Sequence, residues 1–368
     1  MIPFLDLAAA TRELETEIHA AVARVVNSGW YVGGPELTAF EEQWAAYCDA
    51  DHAVGVANGL DALHLALRAV GVGPGDEVIV ASNGYIATQL AVTMAGATPV
   101  PVEPDPATHN LDPARIEAAI TAKTKVILPT HLYGQPADLD AIGAVAERHG
   151  LVVIDDAAQA HGARYKGKQV GGGGARITCW SFYPSKNLGA LGDGGAITSN
   201  DPELAEKVRR LGNYGSSIRY VNQELGVNSR LDPIHAAVLG AKLQKLDEWN
   251  ARRARIAAHY GEALADCAGL TLPAVPDFAI PAWHLYVVRS ADRDRLAARL
   301  AEAGVQTLIH YPIPPHRQQA YAAMGLAKGS LPIAEALAAQ VLSLPIGPHL
   351  GMERAERVAD AVRGAMIP

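Results

Sequence analysis

The chain has few cysteines, and none of them stands in a spacing typical of metal or redox sites. Its 368 residues include only Cys48, Cys179 and Cys267, which lie far apart and form no CxxC pair. A thiolate zinc site and a disulfide framework therefore have no support, and no metal is expected. The odd number and wide spacing favour a reduced protein in the cytoplasm.

Long apolar runs and an excess of basic residues are also missing. No stretch approaches the ~20 uninterrupted apolar residues that a membrane helix requires. The first residues, MIPFLDLAAATRELE, have no basic region leading into an apolar segment, so no signal peptide is expected. The formal net charge of −8 argues against a broad basic surface for nucleic acid. What remains is the ordinary composition of a soluble globular protein, long enough for two domains.

Short apolar runs alternate with helical patterns over the first half of the chain. Strands are predicted at 53–57, 78–81, 99–102, 125–129 and 151–155, and helices at 60–70, 88–95 and 138–149. Asp138 is expected to cap the last of these helices and Gly150 to end it. This β-α-β-α rhythm predicts an α/β fold with a mostly parallel central sheet flanked by helices.

A different pattern begins near residue 202. Helices are predicted at 202–212, twice within 232–265, and at 292–303, 333–341 and 352–365, with strands at 284–289 and 306–310. This order predicts a smaller C-terminal α+β domain. We therefore expect a large domain at 1–245 and a small domain at 246–368.

One lysine stands in an unusual setting. The segment SFYPSKNLGALGDGGAI runs from a predicted strand at 177–182, through Lys186, to a second strand at 196–198. Small residues around Lys186 leave room for a flat cofactor, so the lysine is a candidate nucleophilic amine. The alternative is a surface lysine in a glycine-rich loop, which this segment alone does not exclude.

Two acids end the strand in LVVIDDAAQAHG. Parallel strands present functional groups at their carboxyl ends, where a carboxylate can keep a pyridinium nitrogen protonated. Successive side chains of a strand point to opposite faces. One of Asp155 and Asp156 is therefore expected to face a functional site, and the other to have a structural role. Capping of the next helix is the alternative role for either acid.

Two further strand ends carry candidate ligands for a phosphorylated ring. In VANGLDALHL, a strand ends at Asn58-Gly59 and a helix begins near Leu60, where free N–H groups can bind phosphate. An ordinary strand–helix turn is the alternative. In SNGYIATQ, Tyr85 follows a strand and is positioned to stack on a ring, although a packing role would give the same pattern.

Together these elements resemble the DegT/DnrJ/EryC/StrS nucleotide-sugar aminotransferase family, within the aspartate-aminotransferase fold type. The resemblance covers essentially the whole chain. Its ordered blocks are SGWYVGGPELTAFEEQWAAYC, GLDALHLALRAVGVGPGDEVI, LPTHLYGQPADLDAI, IDDAAQAHGA, SFYPSKNLGALGDGGAI, NYGS, NSRLDPIHAAVL and HYPIPPH. It implies the fold of type I pyridoxal-phosphate (PLP) enzymes, PLP as cofactor, a nucleotide-linked keto sugar and glutamate as substrates, and a homodimer with shared active sites.

The resemblance also implies roles for individual residues. Lys186 would form the Schiff base with the cofactor, and Asp156 would pair with its ring nitrogen. The other cofactor-binding residues would be Gly59, Leu60 and Ser181 at the phosphate, Tyr85 on the ring, Gln159 at the phenolic oxygen and Asn228 at the phosphate of the neighbouring subunit. Weaker candidates for substrate binding are Tyr183, Arg219, His310 and Tyr311.

The block YPSKNLGALGDGG is similar to that of 3-aminotransferases that make dTDP-3-amino-3,6-dideoxyhexoses. The dipeptide Asn83-Gly84 departs from the commoner pattern, so a 4-aminotransferase remains an alternative. A dehydratase of the same fold would carry histidine in place of Lys186. A non-catalytic regulator would tolerate loss of the lysine or the acid, and a nicotinamide-dependent oxidoreductase would need a glycine fingerprint that the chain lacks.

Overall fold

The computed structural model describes residues 1–367. Its strands are His52–Val56 (β1), Glu77–Ala81 (β2), Thr98–Val102 (β3), Thr124–Leu128 (β4), Val152–Asp156 (β5), Arg164–Tyr165 (β6), Lys168–Gln169 (β7), Ile177–Ser181 (β8), Gly195–Ser199 (β9), Leu270–Thr271 (β10), Ala279–Ile280 (β11), Tyr286–Ser290 (β12) and Val341–Leu344 (β13). Its helices are Leu7–Glu13 (α1), Glu15–Ser28 (α2), Pro35–Tyr47 (α3), Gly59–Ala69 (α4), Ile86–Met94 (α5), Pro113–Ile116 (α6), Leu139–His149 (α7), Pro202–Gly212 (α8), Pro233–Leu243 (α9), Leu246–Ala263 (α10), Arg293–Glu302 (α11), Pro332–Gln340 (α12) and Met352–Met366 (α13).

A seven-stranded sheet forms the centre of the molecule, in the order β1-β9-β8-β5-β4-β2-β3. Strand β9 runs antiparallel to both neighbours, β1 and β8, and the remaining pairs are parallel. The carboxyl ends of six strands therefore lie at one edge, together with the start of β9. Buried aliphatic residues on both faces, such as Val80 and Ile79, pack against the covering helices. The α/β prediction is confirmed.

A second core lies in the C-terminal part of the chain. Strands β10, β12 and β13 form a three-stranded antiparallel sheet, against which α10, α11 and α13 pack through residues such as Tyr260, Leu300 and Val358. Ile2 also lies in this core and its N–H donates to the Gly304 carbonyl, 2.7 Å away. The exact division at residue 245 stays a prediction.

The predicted cap and stop of α7 are present. Asp138 accepts a hydrogen bond from the Ala141 N–H at 3.3 Å, and Gly150 adopts the left-handed conformation with φ of 64°. The strand predicted at 306–310 is wrong. Only Leu308 pairs with Ser343, in a single antiparallel bridge, because the chain then turns so that His310 Nδ1 meets the Ser343 hydroxyl at 2.8 Å.

No helix between residues 1 and 367 combines the length and apolar character that a membrane span requires.

Candidate active site

Lys186 lies in the loop between β8 and β9, at the edge where the parallel strands end. Burial lowers the pKa of its amine from 10.5 to about 8, and the charge of Asp156 opposes this shift. A group that is neutral near pH 8 can accept a proton, whereas an ordinary lysine remains charged there. The structure therefore brings together the two residues that the sequence singled out, and it gives the lysine the character of a base.

The next residue fixes the loop in place. Asn187 is buried, and its Nδ2 donates to the Ala282 carbonyl at 2.7 Å and to Asn250 Oδ1 at 2.9 Å. Its Oδ1 lies 3.1 Å from His284 Nδ1. These bonds tie the lysine loop to α10 and to the C-terminal part of the chain. Asn187 is not among the residues predicted from the sequence, although a polar residue directly after the candidate lysine was a usable signal.

Asp156 is the last residue of β5 and is only 5% exposed. Its Oδ2 accepts a hydrogen bond from the Thr88 hydroxyl at 2.7 Å and lies 3.5 Å from the Thr130 hydroxyl, and its Oδ1 accepts from the Ala158 N–H at 3.2 Å. Such donors fix the orientation of the carboxylate. Thr88 was also missed; it stands on α5, one turn beyond Tyr85.

Asp155 lies on the opposite face of β5. Its Oδ2 is 3.3 Å from Nε2 of the buried His131, whose Nδ1 accepts a hydrogen bond from the Ala137 N–H at 3.0 Å. Because Nδ1 is an acceptor, the ring carries its proton on Nε2, toward the carboxylate. The alternation expected for the two acids is thus present, with Asp155 in a structural pair and Asp156 at the carboxyl edge.

The start of α4 offers free N–H groups. Asn58 caps the helix by accepting a hydrogen bond from the Asp61 N–H at 2.9 Å, which leaves Gly59 and Leu60 as the first two donors of the helix. A Cβ on Gly59 would lie 2.6 Å from the Cβ of Ser181. The glycine thus lets β8 approach the helix start, where the Ser181 hydroxyl joins these N–H groups.

We predict that Gly59→Ala weakens retention of a phosphorylated cofactor and lowers the free energy of unfolding by about 1–3 kcal/mol, the usual cost of overpacking. The added methyl group would push Ser181 away from the helix start. Melting curves with and without cofactor, together with equilibrium dialysis, measure both effects. The matched control is Gly143→Ala in α7, where a Cβ meets nothing within 4 Å. Equal behaviour of the two variants would contradict this account of Gly59.

Aromatic residues cover one side of the site. Tyr85 is 55% exposed, and its ring centroid lies 5.2 Å from that of Tyr311. The Tyr311 hydroxyl accepts a hydrogen bond from Gln159 Nε2 at 3.0 Å, and burial raises the pKa of Tyr311. Gln159 Oε1 accepts from the Tyr133 N–H at 2.6 Å. The exposed Tyr85 ring is free to stack on a planar ligand, while the contact of Gln159 with a cofactor stays a prediction.

His310 lies beside this group and not in a strand. Burial lowers its pKa to about 4, and the nearby Lys186 acts in the same direction. The imidazole is therefore neutral at physiological pH, and its backbone carbonyl accepts a hydrogen bond from the Tyr133 hydroxyl. The position of His310 near Lys186 fits the predicted contact with substrate, which stays a prediction.

Tyr183 is exposed in the lysine loop, where its carbonyl accepts a hydrogen bond from the Lys186 N–H at 2.8 Å. Two other predicted residues lie apart from this group within one chain. Arg219 is exposed, and its Cζ lies 4.9 Å from the centroid of the Tyr220 ring. Asn228 is exposed and forms a β-bridge with Asn213. Among residues 1–367, neither Arg219 nor Asn228 forms an ion pair or side-chain hydrogen bond with Lys186 or Asp156.

Comparison with known proteins identifies the family to which the chain belongs. The model of the DegT/DnrJ/EryC1/StrS aminotransferase family matches residues 12–363. The chain belongs to this family. The predictions of the family, and of an aminotransferase, are therefore confirmed.

Several relatives are similar over nearly their full length. The chain is 57% identical to the erythromycin biosynthesis sensory transduction protein EryC1 of Saccharopolyspora erythraea, over 98% of the chain and 99% of the relative. It is 56% identical to dTDP-3-amino-3,4,6-trideoxy-alpha-D-glucose transaminase of Streptomyces venezuelae, over 98% and 95%. It is 52% identical to dTDP-3-amino-3,6-dideoxy-alpha-D-galactopyranose transaminase of Aneurinibacillus thermoaerophilus, over 98% and 99%.

Solved structures support the fold and the choice of cofactor. DesV of S. venezuelae, in complex with a ketimine intermediate, superposes with a TM-score of 0.99 at 55% identity, covering 100% of this chain and 99% of DesV. NtdA of Bacillus subtilis, with the cofactor PMP bound, gives 0.93 at 33% identity, covering 99% and 85%. The prediction of the PLP-dependent fold type is confirmed.

The residues present fit that cofactor. A phosphate matches the free N–H groups at Gly59 and Leu60, which lie beside the Ser181 hydroxyl. A pyridinium nitrogen matches the buried carboxylate of Asp156, and an aldehyde matches the half-buried amine of Lys186.

Proposed function

We propose that this aminotransferase uses PLP to transfer the amino group of glutamate to C3 of a nucleotide-linked keto-deoxysugar. A dTDP-3-keto-6-deoxyhexose is the acceptor that we infer, and a 3-amino-3,6-dideoxy sugar nucleotide is the product. The placement of Lys186 and Asp156 at the same sheet edge, where the charge of Asp156 acts on the lysine amine, carries the proposal of transamination. The two transaminases that share more than half of their residues with the chain support dTDP sugars and position 3.

The residues divide the chemistry between them. The cofactor supplies an electron sink for the carbon that loses a proton. Lys186 removes the proton from the donor's α-carbon and later delivers a proton to the acceptor carbon, which its lowered pKa of about 8 permits. Asp156 keeps a proton on the ring nitrogen, so negative charge can be delocalised into the ring. Tyr85 and Gln159 orient the ring.

The position of the transferred amino group is the sharpest test of this proposal. The enzyme is offered a dTDP-3-keto and a dTDP-4-keto 6-deoxyhexose in separate reactions with glutamate, and the products are examined by NMR. We expect amination at C3 and at most slow turnover of the 4-keto sugar. Preferred amination at C4 would instead support a 4-aminotransferase, the alternative that the unusual dipeptide Asn83-Gly84 leaves open. Absence of turnover with both sugars would contradict the proposed substrate class.

A homodimer is part of the proposal. The segment 214–225 exposes large apolar residues, including Tyr220 at 85% and Leu225 at 88%, and Trp30 and Tyr31 are also exposed. Apolar residues grouped in this way mark a protein interface. Asn228 directly follows this segment and is exposed, which fits a residue that completes the cofactor site of the partner. We place the protein in the cytoplasm, where its free cysteines would stay reduced.

We predict that two inactive variants, Lys186→Ala and Asn228→Trp, restore activity when mixed. In a mixed dimer one site takes both defects and the other takes neither. Random association should recover up to about one quarter of the wild-type sites. Steady-state assays measure this recovery, and subunits with different tags establish that exchange has occurred.

The matched control mixes Lys186→Ala with Asp156→Asn, which belong to the same subunit's site. Every site of that mixed dimer remains defective, so no activity should return. Proven exchange without recovery in the Asn228 mixture would show that Asn228 serves its own subunit or none.

A further inference from the structure

A cavity lies next to the lysine loop, and none of Tyr85, Tyr133 and Tyr311 lines it. Its volume is about 180 Å³, several times the ~30 Å³ that one water molecule occupies in the liquid. Lys186 and Ser185 line it from the loop, Asp6 from the N-terminal segment, and Lys242 and Arg253 from α9 and α10. The cavity is thus large enough for a small organic anion and shares Lys186 with the proposed cofactor site.

Two buried cations line this cavity without an acidic partner. Lys242 is 6% exposed and donates one hydrogen bond, to the Gly189 carbonyl at 2.7 Å. Arg253 is 3% exposed, and its Nη1 donates to the carbonyls of Trp283, His284 and Ile346. Its Nε has no partner among residues 1–367. Burial lowers the pKa of Lys242 to about 8 and that of Arg253 to about 10.

The acids near the cavity are already engaged elsewhere. Asp6 pairs with Arg12 at 2.8 Å and accepts a hydrogen bond from the Ala9 N–H. Glu13 pairs with Arg252 at 2.8 Å and with His349, which lines the cavity, at 2.5 Å. Buried charges without partners are costly, so a bound anion that pairs with these cations would offset this cost. The cavity therefore has an excess of positive charge and unused donors.

We propose that Lys242 and Arg253 bind a carboxylate of the amino donor in this cavity, which makes them specificity residues for a C5 dicarboxylate. The assignment rests on the proposed function only in naming glutamate as the donor. Lys186 is the one predicted cofactor-binding residue that also lines this cavity. A donor whose amino group reaches Lys186 from this side would extend a carboxylate toward the two cations. Arginine and lysine together suit this ligand, since one offers a planar set of donors and the other a compact charge.

The test measures binding of glutarate, a C5 dicarboxylate without an amino group, to the PLP-loaded enzyme by calorimetry. We expect Lys242→Met to weaken glutarate binding by at least about tenfold, because a hydrogen bond to a charged group is worth roughly that factor or more. Lys242→Arg should retain most of the affinity. The matched control is Lys245→Met, because Lys245 is half-exposed, pairs with Glu248 and lies outside the cavity. It should leave the affinity for glutarate unchanged.

A second experiment measures the rate of the half-reaction as a function of glutamate concentration. Glutarate should compete with glutamate, and Lys242→Met should raise the glutamate concentration needed for half-maximal rate far more than it lowers the limiting rate. Unchanged glutarate binding in a folded, PLP-loaded Lys242→Met enzyme would overturn the proposal. Binding that depends on Lys242 without competing against glutamate would overturn the assignment to the donor.

A crystal structure of the unaltered PLP-loaded enzyme with glutarate decides the matter if the variants do not fold. A carboxylate within hydrogen-bonding distance of Lys242 Nζ or Arg253 supports the proposal, and glutarate bound only elsewhere contradicts it. These results are separable from failure of the proposed function. A normal half-reaction with glutamate, followed by no amination of the keto sugars, would remove the sugar acceptor and leave the donor site standing.

Discussion

Replacing Lys186 with alanine is expected to abolish transamination. In the proposed mechanism the variant lacks both the amine that would hold the cofactor and the base that would move the proton, and loss of the general acid–base alone costs roughly 10²–10⁴-fold in rate. The lowered pKa of Lys186, about 8, is the physical basis of this expectation, since it makes the amine available as a base near neutral pH. The loss is measured as the rate of 2-oxoglutarate release when the enzyme is given glutamate and the keto sugar.

Lys245→Ala is the matched control for this variant. Lys245 is half-exposed and pairs with Glu248 at 2.9 Å, so its loss should change turnover little. Lys186→Ala should also lose the absorption band of the Schiff base that purified enzyme with bound PLP is expected to show. Near-normal turnover by Lys186→Ala would remove the lysine from the mechanism.

The second large effect separates the two adjacent acids. Asp156→Asn should lower the rate of the half-reaction with glutamate by roughly 10²–10³-fold, the usual cost of removing a group that stabilises developing charge. An amide cannot keep the ring nitrogen protonated. Asp155→Asn should instead lower the free energy of unfolding by about 1–3 kcal/mol, because it weakens the buried contact with His131. Single-turnover spectroscopy and chemical denaturation measure the two quantities.

The two variants serve as controls for each other, because the acids are neighbours on one strand and the substitution is the same. Equal losses in the half-reaction, or a larger loss for Asp155→Asn, would contradict the assignment of Asp156 to the cofactor.

The sequence predicted those parts of the site that depend on local chain direction. Strand alternation separates Asp155 from Asp156, and the carboxyl ends of parallel strands bring Gly59, Asp156 and Lys186 to one edge. These features follow from periodicity and from the order of motifs. The central sheet and most helices were predicted for the same reason.

Contacts between distant segments could not be predicted in this way. Thr88 reaches Asp156 across 68 residues, and Asn187 reaches Ala282 across 95. The predicted strand at 306–310 failed because an alternating apolar pattern does not say how many residues find a partner. The two cations of the cavity, Lys242 and Arg253, lie in helices whose pattern resembles any amphipathic helix. Only packing reveals that they are buried without acids.

The most direct measurement follows a labelled amino group through the protein. The PLP-loaded enzyme is incubated with ¹⁵N-glutamate, separated from free amino acid by gel filtration, and then given a dTDP-3-keto-6-deoxyhexose. The account predicts that ¹⁵N travels with the protein, that 2-oxoglutarate appears in the first step, and that the label is found at C3 of the sugar nucleotide after the second. Protein that carries no label after gel filtration, or a sugar that stays unaminated while the label remains on the protein, would contradict it.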